Sequence, residues 1–529
     1  MYRLLKRHKG TVAVMILWAL IAGAANIYAG YQLGAFYDII TASDLKQAIW
    51  ISLYMVFFWI LAVVMTYFSS CYQAKLIKVL NTDMRGRMLE RISNLSYDKY
   101  EKKEPGEYAS WLVNDITQIE NNSIVPFCTA VESLSTALFA LIALFVIHPV
   151  VLAACCVCSV MFSIVPKIFE KSLTQISTQL SSANESFSQR VFNTIQGFEV
   201  FVVANQRKEM SKRLRGMYLD LEERKLKLRR KNAEMIMYSH SIYRISDLGV
   251  SVLTSIMALL QMVEMGAVFS ISNISNRFLT GIDTFLANWV MVKSSRGIFA
   301  KFQDLPQPEK KQSCPQITRQ IELQVLCIRY GEKVILEHVN MQFDIGKKYA
   351  LVGESGSGKS SIVRAIIGLS NHYTGKILLD GVDKTGYDSD SIFSQFSYIS
   401  QNVYLFNDTL RYNLMLGQSY SDQQIMEALS YVNLTEFVQS LPEGLDTLIG
   451  DSGKNISGGQ RQRIVIARAL LEKKKIFIMD EGTSALDQKN AQAIEQLILS
   501  NPEFTLILIT HHLDEEHIEQ FAKIYRLTD

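Results

Sequence analysis

Gly353-Glu354-Ser355-Gly356-Ser357-Gly358-Lys359-Ser360-Ser361 is the stretch whose reading decides the fold. It fits the phosphate-loop pattern G-x-x-x-x-G-K-[ST]. An apolar run, Tyr349-Ala350-Leu351-Val352, precedes it and reads as a buried strand. Ile362-Val363-Arg364-Ala365-Ile366-Ile367 follows and reads as a helix, which is the strand–loop–helix setting the motif needs. The glycines let successive N–H groups turn toward one anion, and the helix N-terminus adds its partial positive charge. In that setting Lys359 reaches the β- and γ-phosphates of a nucleotide and the Ser360 hydroxyl binds Mg²⁺.

The rest of the chain says where such a loop is used. The chain has 529 residues, 49% of them hydrophobic and 20% charged. That length is room for about three or four ordinary domains, and that composition is apolar enough to point to a membrane. A net charge of +3 gives no global signal for nucleic acid. The seven cysteines follow no zinc or disulfide spacing and read as reduced thiols packed as small hydrophobes. No internal repeat or low-complexity tract is evident.

Six apolar stretches, at about 11–33, 47–70, 124–147, 150–169, 235–262 and 266–292, are expected to be membrane spans, since roughly 20 helical residues cross the hydrocarbon core. The first is longer than the about 7–15 residues of a signal-peptide core, so it is expected to be retained. It starts almost at Met1, so no added N-terminal domain is expected. Phe36–Gln47 holds a single basic residue, Lys46, whereas the stretches before the third and fifth spans are rich in Lys and Arg. The positive-inside rule then places both long stretches, and both termini, in the cytoplasm. The basic run Arg224–Lys231 reads as a solvated helix face near anionic headgroups and not as a nucleic-acid patch.

The organisation that follows is a membrane domain over 1–302, a Pro-marked linker over 303–318, and an α/β ATPase-type domain over 319–529 in which strands and helices alternate. Two further motifs lie in the last of these. Ile476-Phe477-Ile478-Met479-Asp480-Glu481 reads as a central strand ending in carboxylates. Asp480 is placed to hold Mg²⁺, and Glu481 to act as general base toward an attacking water. Asn455-Ile456-Ser457-Gly458-Gly459-Gln460 opens a basic helix and offers a second anion site.

Phosphate loop, Ser-Gly-Gly-Gln and strand-Asp-Glu, in this order, resemble the nucleotide-binding domain of ABC transporters. Six spans ahead of such a domain resemble an exporter-type half-transporter, so the likeness covers essentially the whole chain. The resemblance implies that Tyr330 stacks on adenine. It implies that Gln401 is a ligand of Mg²⁺ and water, and that Ser484-Ala485-Leu486-Asp487 is the D-loop. His511 is implied to contact the γ-phosphate, with His512 where arginine is common. It implies a dimer in which each ATP lies between one chain's Gly353–Ser361 and the other chain's Ser457, Gly458, Gly459 and Gln460. Pro105–Ile116 and Gln196–Phe201 resemble the cytoplasmic loops that dock on the nucleotide domains. The function implied is ATP- and Mg²⁺-dependent export by alternating access, in the plasma membrane of a bacterium, with a second half-transporter chain and the bilayer as partners. An ATP-switched membrane sensor, and an importer built on the exporter fold, remain open alternatives. So does the cargo: peptide, lipid or drug.

The sixth span adds a feature of its own. Helical spacing puts Asn273, Arg277, Thr280, Thr284 and Asn288 near one stripe. A charge at mid-bilayer costs about 2.5–3.5 kcal/mol even on insertion scales. The stripe is therefore expected to face protein or water, as a wall of the translocation path or as polar glue between helices.

Overall fold

The computed structural model describes residues 1–41, 45–295, 297, 299, 311–331, 333–450, 456–482, 486, 488–511 and 515–527. They form two compact units. One comprises Met1–Leu95 with Lys102–Gln307, the other Ser96–Glu101 with Pro308–Asp529.

The first unit is helical. Its long helices are α1 (Lys9–Thr41), α2 (Leu45–Ser93), α3 (Val125–Ile147), α4 (Pro149–Gln196), α5 (Arg207–Leu259) and α6 (Met265–Ser294). Each of the six apolar stretches falls largely on one of them. Among the described residues four helical stretches are long and apolar enough to cross a membrane: Lys9–Ile40, Leu45–Ser93, Pro105–Ile147 and Arg207–Leu259. α4 contributes a shorter apolar stretch, Pro149–Met161, and α6 carries the polar stripe. α5 stops at Leu259, short of the expected 262, because the chain turns there with Gln261 at φ +58°.

What holds the bundle is close approach of backbones at small residues, since lipid supplies no hydrophobic drive between helices. A Cβ added at Gly281 would lie 2.9 Å from the Ser133 carbonyl and 3.0 Å from Ala137 Cβ. Ala137, Ala140, Leu144, Ile271, Ile274 and Leu279 fill the seam around that crossing. The outer face of α2 is the opposite case: Leu53, Val56, Phe57, Ile60 and Val63 are all more than half exposed. A continuous apolar face of that kind suits acyl chains.

The second unit is α/β. β1 (Gln320–Tyr330), β2 (Lys333–Asp344), β4 (Tyr373–Leu379) and β5 (Val382–Asp383) make an antiparallel sheet in the order β2-β1-β4-β5. β3 (Lys348–Gly353), β6 (Phe396–Ile399), β7 (Ile476–Asp480), β8 (Thr505–Thr510) and β9 (Lys523–Leu527) make a parallel sheet in the order β6-β7-β8-β3-β9. Parallel strands are buried on both faces, and period-two alternation divides their side chains. Ile476 and Ile478 join the core under the antiparallel sheet, while Phe477 and Met479 join the core on the other face. The alternation of strands and helices holds for the parallel sheet; the antiparallel sheet beside it is an addition to the expected pattern.

Two boundaries differ from expectation. Gln312, Cys314 and Ile317 fall in the stretch read as linker, yet they pack on the second unit. Gln312 bridges to Tyr387, the Cys314 N–H donates to Ser391 Oγ at 2.7 Å, and Ile317 is buried. The segment between α2 and α3 that clusters with the second unit is Ser96–Glu101. Pro105–Ser110 belongs to the first unit, where Glu107 accepts from Gln189 Nε2 at 2.6 Å.

Candidate functional site

The parallel sheet brings the motif residues together. Asp480 pairs in register with Ile509, and Val352 with Thr510. The C-terminal ends of β7, β8 and β3 therefore lie side by side, which is where open α/β sheets place their ligands. β3 runs into the loop 354–358, and α7 (Lys359–Ile367) begins directly after it. Gly356 at φ +92° and Gly358 at φ +87° hold backbone that L-residues avoid. A side chain at Gly358 would also meet Leu336 at 2.6 Å.

The side chains then converge. Lys359, almost wholly buried, donates to the carbonyls of Gly353 at 2.7 Å and Glu354 at 2.6 Å. Ser360 Oγ donates to Asp480 Oδ1 at 2.9 Å. Burial pushes the Asp480 carboxyl up, and the Glu481 charge adds to this; the hydrogen bonds from Ser360 and Tyr398, with the Lys359 charge, oppose it. Gln401 Nε2 donates to Glu481 Oε2 at 2.7 Å, and His511 Nε2 lies 2.7 Å from Glu481 Oε1. The other ring nitrogen of His511 is 3.1 Å from the Gly353 carbonyl. Glu481 itself sits at φ +51°, a strained setting for a residue with a Cβ. Its backbone is held by N–H donation to Ile509 and by Gln462 Nε2 donating to its carbonyl at 3.3 Å.

Other expected site residues stand apart from this cluster. Tyr330, at the end of β1, is exposed and its ring lies 5.2 Å from that of His372. Ser457 caps α8 (Gly458–Leu471) in a capping box with Gln460: Ser457 N–H donates to Gln460 Oε1 at 2.8 Å, and Gln460 N–H to Ser457 Oγ at 3.1 Å. Among the described residues no hydrogen bond joins this turn to the phosphate loop. Ser484, Ala485, Asp487 and His512 lie outside the described residues. Tyr398, Gln462 and His372 were not singled out by sequence reasoning. Only the position of Tyr398, three residues before Gln401 on a strand beside β7, offered a signal.

In the first unit, the polar stripe of α6 is half-buried. Its members bond mainly within their own helix: Arg277 Nε to Asn273 Oδ1 at 3.1 Å, Thr280 Oγ1 to the Asn276 carbonyl at 2.7 Å, and Asn288 Nδ2 to the Thr284 carbonyl at 2.8 Å. Arg277 also lies over the Trp59 ring of α2, 5.9 Å from its centroid.

A phosphate loop, a strand-end carboxylate pair and a bundle of long apolar helices in one chain define a membrane-embedded P-loop ATPase. Comparison with known proteins narrows the class. Residues 336–484 match the ABC transporter family and residues 12–232 the ABC transporter transmembrane region. The chain belongs to the ABC transporter superfamily, with the exporter-type half-transporter arrangement of one membrane domain and one ATPase domain, and it is an ATP-hydrolysing transporter. It is 27% identical over 537 residues to an ATP-dependent lipid A-core flippase of Syntrophus aciditrophicus, covering 97% of this chain and 87% of that one. With the flippase of the same name from Salmonella paratyphi A it shares 28% over 514 residues, 92% of this chain and 85% of the relative. A solved bacterial Atm1-family ABC exporter with ATP bound has the same fold, with a TM-score of 0.87 at 19% identity over 99% of this chain and 94% of that one.

Proposed function

We propose that this chain exports an amphipathic, lipid-like cargo from the cytoplasmic side of a bacterial plasma membrane, working as a dimer and using ATP through the cluster at the ends of β3, β7 and β8. The observation that carries this reading is the convergence of Gln401 and His511 on the Glu481 carboxylate, beside the Ser360–Asp480 pair.

Each group has a task there. Gly353, Glu354, Ser355, Gly356, Ser357, Gly358 and Ser361 shape the cradle for the phosphates. Lys359 exchanges its carbonyl acceptors for phosphate oxygens, which a cation binds more strongly. Ser360 and Asp480 form an oxygen pair that suits Mg²⁺, an ion bound through one or two carboxylates plus substrate phosphates. When bound, that ion neutralises charge developing on the phosphates. Glu481 takes the proton of the attacking water, Gln401 and His511 orient that carboxylate, and His511 contacts the γ-phosphate. Tyr330 stacks on the base. Ser457 and Gln460, capping each other away from their own phosphate loop, fit a role completed across an interface, with Gly458, Gly459 and Asp487 beside them. Both halves of the site are present in one sequence, so a second copy suffices as partner. Closure of two such units around ATP would shift the membrane helices between inward- and outward-facing arrangements. The basic cytoplasmic stretches support both termini being cytoplasmic. Asn273, Arg277, Thr280, Thr284 and Asn288 would line the path, and relatives named as flippases favour a lipid-like cargo.

Glu481→Gln tests the assignment. Purified and reconstituted, this variant is expected to bind ATP like the parent while turnover falls at least about 100-fold, the usual worth of a general base. Turnover close to the parent's would reject Glu481 as the base.

A further inference from the structure

Asp480 is held at both oxygens, and the site reading uses only one of its partners. Ser360 Oγ donates to Oδ1 at 2.9 Å; the Tyr398 hydroxyl donates to Oδ2 at 3.3 Å. Asp480 is 4% exposed, so water cannot readily replace either donor. A buried carboxylate that loses a donor keeps the full desolvation cost. Tyr398 comes from β6, in register with Ile478 of β7, which fixes its distance from the strand end.

Further charges reach the Tyr398 hydroxyl. Arg364 and Tyr97 are the other ionisable groups that act on its hydroxyl. Arg364 lies one helical turn beyond Ser360 on α7. Its guanidinium lies 5.5 Å from the centre of the Tyr97 ring, and its Nη2 donates to Glu101 Oε1 at 2.8 Å. Asn371, just past α7, donates to Asp98. The Tyr398 hydroxyl is thus bonded to the strand-end carboxylate and lies within electrostatic reach of Arg364 and Tyr97 of the same unit.

We infer that Tyr398 is a positioning residue for Asp480: its hydroxyl fixes the carboxylate plane so that Oδ1, beside Ser360, is presented to the nucleotide-bound Mg²⁺. This rests on the reading of Ser360 and Asp480 as the Mg²⁺ pair. A hydrogen-bonded Oδ2 cannot swing round to chelate or to follow the Ser360 hydroxyl, so the metal meets one prepared geometry. Without the hydroxyl the carboxylate is free to rotate, and the metal-dependent part of nucleotide binding weakens while the metal-independent part does not.

The test uses the whole chain in detergent and a fluorescent ATP analogue, titrated with Mg²⁺ and, separately, in EDTA. Tyr398→Phe keeps the ring and removes one oxygen. It is expected to raise the Mg²⁺ concentration for half-maximal binding about tenfold, in line with the low end for a hydrogen bond to a charged group. Its affinity in EDTA and its thermal midpoint should match the parent's. An unchanged Mg²⁺ requirement in Tyr398→Phe, with that of Asp480→Asn abolished, overturns the inference and leaves the site reading standing. Equal weakening with Mg²⁺ and in EDTA also overturns it, because that is the mark of a general packing role. Parent-like Mg²⁺ dependence in Asp480→Asn rejects the site reading itself, and the inference with it.

Discussion

Two rows of polar side chains in this protein are satisfied in opposite ways. At the ends of β3, β7 and β8, the partners come from far apart in the chain: Ser360 with Asp480, Gln401 with Glu481, His511 with Gly353. On α6, Thr280 and Asn288 bond to carbonyls four residues back, and Arg277 to Asn273 one turn away. Long-range bonds fix geometry, which is what a reaction needs. Local bonds satisfy a polar group without committing it to a neighbouring helix, so a helix can present a polar face whose surroundings change. The difference fits the roles proposed for them, a chemical site at the strand ends and a wall on α6.

The largest expected effect strikes the first row. Lys359→Met removes the ammonium and leaves the Gly353 and Glu354 carbonyls without their donor. ATP binding should fall at least about 100-fold, since hydrogen bonds to charged groups are worth about 1.5–3 kcal/mol each and Lys359 supplies more than one. Equilibrium binding of labelled ATP measures it; affinity within threefold of the parent would remove Lys359 from the site.

A second, smaller effect sharpens the contrast within the membrane unit, where packing at small residues should matter more than the stripe's hydrogen bonds. Gly281→Val drives a branched side chain into the Ser133 carbonyl, 2.9 Å from the new Cβ. It should destabilise by about 1–3 kcal/mol, the usual cost of overpacking. Gly86→Ala, where nothing lies within 4 Å of the new Cβ, should be neutral or slightly stabilising. Thermal unfolding in detergent compares the pair, and equal midpoints would show that the α3–α6 crossing is not packed as described.

A further effect, seen only as a pH dependence, lies in the ATPase unit, away from the reacting groups. Lys384 is 3% exposed, donates to the Ala365 carbonyl in the last turn of α7 and lies 4.9 Å from the Tyr373 ring centroid. Burial pushes its ammonium down to about 8, against the pull of Asp98 and Asp383. Unfolded, the same group titrates near 10.4. Between those values the unfolded chain binds more protons than the folded one, so stability rises with pH from about 8 upward. Below about 8 both states are protonated and the slope from this residue vanishes. Lys384→Met should lack that rise, and a parallel pH dependence of the two midpoints would contradict the burial.

Much of the ATPase unit was legible in the sequence because its chemistry is concentrated in short motifs. Gly353–Ser361 and the Ile476–Glu481 strand name their own neighbours, and the parallel sheet only has to bring them side by side. Tyr398 was not legible: its hydroxyl matters through register with β7, which a single strand does not reveal. Nor was the antiparallel sheet, where one run such as Gln320–Tyr330 has no pairing partner written into it. The loop segment clustering with the ATPase unit, Ser96–Glu101, was missed because Pro105–Ile116 resembles the family more strongly, while Asp98 and Glu101 look like ordinary surface charges. In the membrane unit hydropathy marks four of the long helical stretches, while α4 carries a shorter apolar stretch and α6 a polar stripe. Their crossings depend on single small residues such as Gly281, which no periodicity marks.

The claim that joins the two rows is that ATP at the strand ends changes what the α6 stripe faces. Asn273→Cys, Arg277→Cys and Thr284→Cys, each made with the seven native cysteines replaced, report on it directly. Reconstituted protein carrying Glu481→Gln is labelled by a water-soluble thiol reagent with and without Mg²⁺ and ATP. The account predicts that ATP changes the labelling rate at these positions by about tenfold or more, as expected for a population shift of about 1.4 kcal/mol or larger. Equal labelling in both conditions, in single-cysteine proteins that still transport before Glu481→Gln is added, would contradict it.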